Sequence, residues 1–189
     1  MSWKNDQVSE SETTKILDSA KKALANPGDL VEFGCYKGDT SLLLADLLRQ
    51  NHSAKKLWLY DSFEGLPEKS PQDQAELNPE FTTGALSTSK RELKLRFLRG
   101  NLPVPIIKKA WFTDLTEEDL PKQISFAFLD GDFYDSIKTS LRLIKPRLTP
   151  QSIIVVHDYY NHRLPGVAKA VDEFLANFDL VPKENFVLL

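Results

Sequence analysis

The chain has 189 residues, of which 41% are apolar and 10% aromatic, enough for one domain with a full core. A formal charge of −3 and a pI near 5.7 exclude a general electrostatic attraction to nucleic acid or to anionic membranes. Cys35 is the only cysteine, which excludes an intrachain disulfide; with no apolar leader and no long apolar run, the sequence predicts a chain that is not exported, does not span a membrane and works in the reducing cytoplasm.

In chain order, residues 11–25 carry Ile16, Leu17, Ala20, Ala23 and Leu24 at helical spacing, and Asn26-Pro27-Gly28 stops them. This leading helix is expected to cover one edge of a sheet. Residues 30–33 read as a strand, followed by a turn with Gly34 and Gly38 and a helix whose apolar face is Leu42, Leu43, Leu44, Leu47 and Leu48. The two glycines are expected to let a ligand approach the backbone without a Cβ in the way. Asp39, Thr40 and Ser41 are cap candidates, and the free N–H groups there favour an anionic ligand group. Residues 56–60 form a second strand ending at Asp61.

The polar stretch 62–86 has no period and reads as an active-site loop or lid. Residues 87–99 read as a helix whose cluster Lys90, Arg91, Lys94, Arg96 and Arg99 is a solvated face. A third strand covers 105–110, with Trp111 directly after it. The almost wholly apolar run 124–129 suits a strand buried on both faces and ends in Asp130-Gly131-Asp132. Helix is expected over 133–144, a buried strand over 152–156 ending in His157-Asp158, helix over 165–177 and a short strand over 185–189.

Strands alternating with helices imply a single α/β domain, Rossmann-like and doubly wound, with a mainly parallel sheet. Ligands of such sheets bind beyond the carboxyl ends of the strands. Those ends carry Glu32 to Gly38, Asp61, Trp111, Asp130 and His157-Asp158. Asp61 is placed to accept hydrogen bonds from ribose hydroxyls, with a turn cap as its other reading. The glycines of the first turn stand four apart, unlike the GxGxxG of a dinucleotide turn. Together these features favour an adenosine-containing ligand without a pyrophosphate, of which S-adenosylmethionine is the common one.

The stretches EFGCYKGDTS, LYDSFEGLP, KKAWFTDLTEEDLP, FLDGDFYDS and VVHDYY, in this order, resemble the macrocin O-methyltransferase (TylF) family over residues 28–173. The resemblance implies a class I methyltransferase fold and an O-methyltransferase that uses S-adenosylmethionine and a divalent metal, usually magnesium, on sugar or related hydroxyls of natural products. By the same resemblance, Glu32, Gly34 and Gly38 surround the methionine part of the cofactor, Thr40 and Ser41 meet its carboxylate, and Asp61 meets the ribose; Ser62 is a further cofactor-binding candidate. Trp111 would pack near adenine, or else serve as a core or loop anchor.

Asp130 matches the aspartate that binds the metal and takes the substrate proton; Asp132 belongs to the same motif without a separate role. At His157-Asp158 the family usually has two aspartates, so a nitrogen donor replaces one carboxylate and metal choice opens toward softer ions. Alternatively, His157 only caps the strand end, and Asp130 and Asp158 hold the metal.

Two other readings share some of these residues. A nicotinamide-dependent oxidoreductase would have the same strand, turn, helix and acid, but its glycine spacing would differ. A protein that holds S-adenosylmethionine or S-adenosylhomocysteine without turnover would keep the cofactor residues and lose the metal chemistry. The expected partner is a small-molecule hydroxyl acceptor, with pairing into a homo-oligomer open. The chain also looks short at both ends for the family, so elements covering the substrate would be missing or come from a partner subunit.

Overall fold

The computed structural model describes residues 5–74 and 81–189. Six strands form one sheet: β1 (Asp29–Phe33), β2 (Leu57–Asp61), β3 (Ile106–Lys109), β4 (Ile124–Leu129), β5 (Leu148–Val156) and β6 (Phe186–Leu188). Their order is β3-β2-β1-β4-β5-β6 and every pairing is parallel. The direction of winding reverses between β1 and β4, which puts the switch in strand order at the ends of these two strands.

Among the described residues five α-helices connect and cover the sheet: α1 (Glu10–Ala23), α2 (Asp39–Gln50), α3 (Lys90–Arg99), α4 (Tyr134–Ile144) and α5 (Pro165–Leu175). Alternation along the strands divides the core in two. Val31, Phe33, Ala127, Leu129, Ile154 and Val156 point to one face and pack on α4 and α5. Leu30, Leu57, Leu59, Phe126, Phe128 and Val155 point to the other and pack on α1, α2 and α3. β4 is buried at all six positions, as its apolar run predicts.

The elements follow the expected order, with two corrections. α1 does not cover a sheet edge. Ile16, Ala20 and Ala23 are fully buried, and the helix lies across β4 and β5 beside α2, because its small residues let it approach the middle of the face. β5 is also longer than the expected 152–156. It starts at Leu148, and its ladder to β4 is irregular between Ile124 and Phe126, where Pro150 interrupts an otherwise plain β pattern.

Within 62–86, residues 75–80 lie outside the described residues. The flanks are tied down. Leu66 donates to the Ala85 carbonyl at 2.8 Å and Gly84 to the Leu66 carbonyl at 2.9 Å. The fully buried Asp73 accepts the Tyr134 N–H at 2.7 Å, supplying the first turn of α4 with an acceptor from 61 residues earlier in the chain. Among the described residues, no helix is long and apolar enough to cross a membrane.

Candidate active site

The carboxyl ends of β1, β2, β4 and β5 open into one cavity of about 780 Å³, within the ~300–1,000 Å³ usual for small-molecule sites. It is lined by Glu32, Gly34, Gly38, Thr40, Asp61, Ser62, Trp111, Asp130, His157 and Asp158, so nearly all the expected residues meet there. The turns that carry them hold non-glycine residues in the left-handed region: Tyr36 after β1, Phe63 after β2, Asp132 after β4 and Asp158 after β5. Such backbone persists only where the surroundings over-determine it, and it clusters at functional rims.

Ser41 is the exception. It is fully buried, does not line the cavity, and donates from Oγ to Glu32 Oε2 at 2.7 Å. Glu32 points toward α2 with 1% of its surface exposed, and burial pushes its carboxyl up to about 8. The expected caps of α2 also differ. Gly38, at φ 84°, is the N-cap residue, and no side chain caps the helix. Asp39 instead pairs with Arg96 at 2.6 Å, and Thr40 Oγ1 accepts from Asn5 Nδ2 at 2.9 Å. Both glycines of the turn line the cavity, yet protein packing is what excludes a side chain. A Cβ on Gly34 would stand 1.9 Å from the Asp130 carbonyl oxygen, and one on Gly38 would stand 2.1 Å from Leu93 Cδ1.

Asp61 has a structural role besides any ligand. Its Oδ2 accepts the Cys35 and Tyr36 N–H groups, each at 2.9 Å, and its Oδ1 accepts the Phe63 N–H at 2.6 Å. It therefore clamps the first turn onto β2. A carboxylate offers about four lone-pair sites, so three backbone donors leave room for one ribose hydroxyl. Ser62 lines the cavity beside it and holds the next turn, accepting the Glu64 N–H at 3.0 Å. Trp111, half-buried, precedes Phe112, whose ring meets Phe33 edge to face at 5.2 Å.

At the ends of β4 and β5, His157 Nδ1 lies 3.0 Å from Asp130 Oδ1 and 3.0 Å from Asp158 Oδ2. Asn161 Nδ2 donates to Asp158 Oδ1 at 2.9 Å. Burial works against charge on His157, but the two carboxylates outweigh it and carry its pKa up to about 11. Burial would raise Asp158, but His157 and Asn161 hold its carboxyl below the usual range. Asp132 lines the same cavity; burial and then the Asp130 and Asp158 carboxylates push it well above the usual range. One donor atom from each of Asp130, His157 and Asp158 lies within 4.8 Å of the others. Two carboxylates and an imidazole at these separations fit a divalent ion, which would require the Nδ1 lone pair of His157 to be free of a proton.

Sequence reasoning missed the contribution of the segment before α1. Asn5, Gln7 and Val8 line the cavity, and Asn5 Oδ1 accepts the Gln7 and Val8 N–H groups at 3.0 Å. The only trace in the sequence is the capping pair Ser9 and Glu12, which fixes where α1 starts but not what lies beneath it.

A family model described as macrocin-O-methyltransferase (TylF) matches residues 13–182. The 8-demethyl-8-(2,3-dimethoxy-alpha-L-rhamnosyl)-tetracenomycin-C 4'-O-methyltransferase of Streptomyces olivaceus is 31% identical over 139 residues, 70% of this chain and 53% of that protein. The demethyldecarbamoylnovobiocin O-methyltransferase of Streptomyces niveus is 28% identical over 160 residues, 82% of this chain and 60% of that protein. The chain thus spans between half and two thirds of the length of these curated relatives. The solved structure of the O-methyltransferase NovP superposes with a TM-score of 0.77 at 26% identity, covering 89% of this chain and 72% of that one.

Proposed function

The chain belongs to the macrocin O-methyltransferase (TylF) family, and from that premise we propose that it is an S-adenosylmethionine-dependent O-methyltransferase acting on a hydroxyl of a small molecule, a sugar or a glycosylated natural product. The observation that carries this reading is the convergence of the glycine turn, Asp61 and the Asp130, His157 and Asp158 cluster on one cavity. The acceptors in the relatives' names, a rhamnosyl-tetracenomycin and demethyldecarbamoylnovobiocin, support the acceptor class.

S-adenosylmethionine supplies a sulfonium methyl that is already activated, so what remains is to align a hydroxyl with it and to take its proton. The turn over residues 34–40 would hold the methionine end, the remaining lone pair of Asp61 would take a ribose hydroxyl, and Trp111 would flank the adenine. Asp130, His157 and Asp158 would hold a divalent ion, which would supply Lewis-acid chemistry at an acceptor hydroxyl. The nitrogen donor suits manganese at least as well as magnesium. Asp130 accepts the hydroxyl proton on its carboxylate as the methyl is transferred. Leu66, Phe81, Leu86 and Phe133 also line the cavity and would exclude water around the acceptor.

Calorimetric titration with S-adenosylmethionine and S-adenosylhomocysteine, with and without magnesium or manganese, tests cofactor and metal together. Binding of both ligands is expected, and their failure to bind would reject the reading. Asp130→Asn is then expected to keep S-adenosylhomocysteine affinity while losing transfer of labelled methyl to a panel of glycosylated acceptors. Retained transfer would take the proton-accepting role from Asp130.

A further inference from the structure

The Asp130, His157 and Asp158 cluster has a further acidic neighbour that comes from the far end of the chain. Glu12, in the first turn of α1, places Oε2 at 3.9 Å from His157 Nε2, on the side of the ring opposite Asp130 and Asp158. Its position is fixed independently of the histidine. The same Oε2 accepts from the Ser9 N–H at 3.1 Å and from Ser9 Oγ at 2.6 Å, and Ser9 in turn caps the Glu12 N–H at 3.3 Å. This capping box sits where α1 crosses β4 and β5, so the helix start delivers a carboxylate above the end of β5.

We propose that Glu12 is a positioning residue for the metal centre: its carboxylate, 3.9 Å from Nε2, attracts the Nε2–H of His157 electrostatically and so favours the ring with the Nδ1 lone pair facing Asp130 and Asp158. The inference rests on the metal reading above. Nδ1 is the nitrogen within reach of both carboxylates, so it is the donor atom of the cluster. An imidazole that donates a lone pair from Nδ1 carries its remaining proton on Nε2, and that proton needs an acceptor in a site this enclosed. Among the described residues Glu12 is the carboxylate paired with Nε2. An acid behind a ligating imidazole fixes its tautomer and raises its basicity, and removal of such a partner typically costs about 10–100-fold in metal affinity. Glu12 also sets a negative charge beside a ligand set with one neutral member.

The test is titration of the full chain with manganese alone, followed by calorimetry or electron paramagnetic resonance, in four forms: wild type, Glu12→Gln, His157→Asp and the double variant. Glutamine still reaches back to the Ser9 N–H, so the capping box and the fold are kept, as melting curves check, while its neutral amide no longer attracts the Nε2–H across 3.9 Å. Glu12→Gln is expected to weaken manganese binding roughly tenfold in the wild-type background and to leave it unchanged in the His157→Asp background, where no imidazole remains to be oriented. An equal loss in both backgrounds would make Glu12 only a distant charge and overturn the proposal, as would undiminished binding by Glu12→Gln. Wild type that binds no manganese would overturn the metal reading and this inference together, whereas tight wild-type binding untouched by Glu12→Gln would overturn the inference alone.

Discussion

Replacing Glu32 with glutamine should remove a slope from the dependence of stability on pH. Glu32 is 1% exposed, so no solvent screening discounts its burial, and that burial moves the carboxyl from an ordinary 4.5 to about 8. Between those values the folded chain keeps a proton that the unfolded chain has released. Stability from this group is therefore fully present below pH 4.5 and is lost as pH rises through about 8. At about 1.4 kcal/mol per pH unit the interval amounts to roughly 5 kcal/mol, an order-of-magnitude figure for a buried carboxyl. The amide of Glu32→Gln does not titrate, and its oxygen still accepts from Ser41. Urea unfolding of both proteins from pH 5 to pH 9, without cofactor or metal, isolates the effect, because all other groups cancel in the difference. The variant should gain on the wild type by roughly 4 kcal/mol between pH 5 and pH 8 and level off above. A difference that does not vary with pH would refute the reasoning: the carboxylate would then be charged in the fold and solvated well enough by Ser41 and its surroundings.

Asp61→Ala should weaken S-adenosylhomocysteine binding about tenfold to a hundredfold in calorimetry, the loss of roughly 1.5–3 kcal/mol expected for hydrogen bonds to a carboxylate. It should also lower the melting temperature, because the Cys35, Tyr36 and Phe63 N–H groups lose their acceptor; an unchanged dissociation constant rejects the ribose assignment. Asp73→Ala should cost about 1–2 kcal/mol in urea unfolding through loss of the cap on α4. A midpoint like that of the wild type would show that another group takes the Tyr134 N–H.

The parts of this site that were legible in the sequence lie at the ends of strands. An apolar run such as 124–129 fixes both a buried strand and the place where the next polar residue emerges, so Asp61, Asp130, His157 and Asp158 could be set on one rim from local pattern. The parts that were not legible depend on where one element lands on another. Ser41 has the right spacing for a ligand at the start of a helix, but Glu32, nine residues earlier, draws it inward. Asp73 sits in a stretch without period and caps a helix far away in sequence. Glu12 looks like an ordinary capping acid until α1 is seen to cross β4 and β5.

The glycines show how tightly the two halves of the site are joined, and they give a separable prediction. Gly34 and Gly84 share a positive φ, 85° and 82°, so alanine at either position pays the positive-φ penalty of about 1–2 kcal/mol. Their surroundings differ completely. A Cβ at Gly84 meets nothing within 4 Å, whereas one at Gly34 stands 1.9 Å from the Asp130 carbonyl oxygen, a backbone atom that no rotamer can remove. Relief requires β1 and β4 to part where Asp130 donates its N–H to the Phe33 carbonyl at 2.9 Å, and the Asp130 carboxylate moves with its backbone. Gly34→Ala should therefore cost at least about 1–3 kcal/mol more than Gly84→Ala in urea unfolding, by the usual scale of overpacking. It should also weaken manganese binding, which Gly84→Ala should leave alone. Equal destabilisation by the two alanines, with metal binding kept in both, would mean that the turn after β1 shifts freely against β4 and that Gly34 does not couple the cofactor turn to the Asp130 cluster.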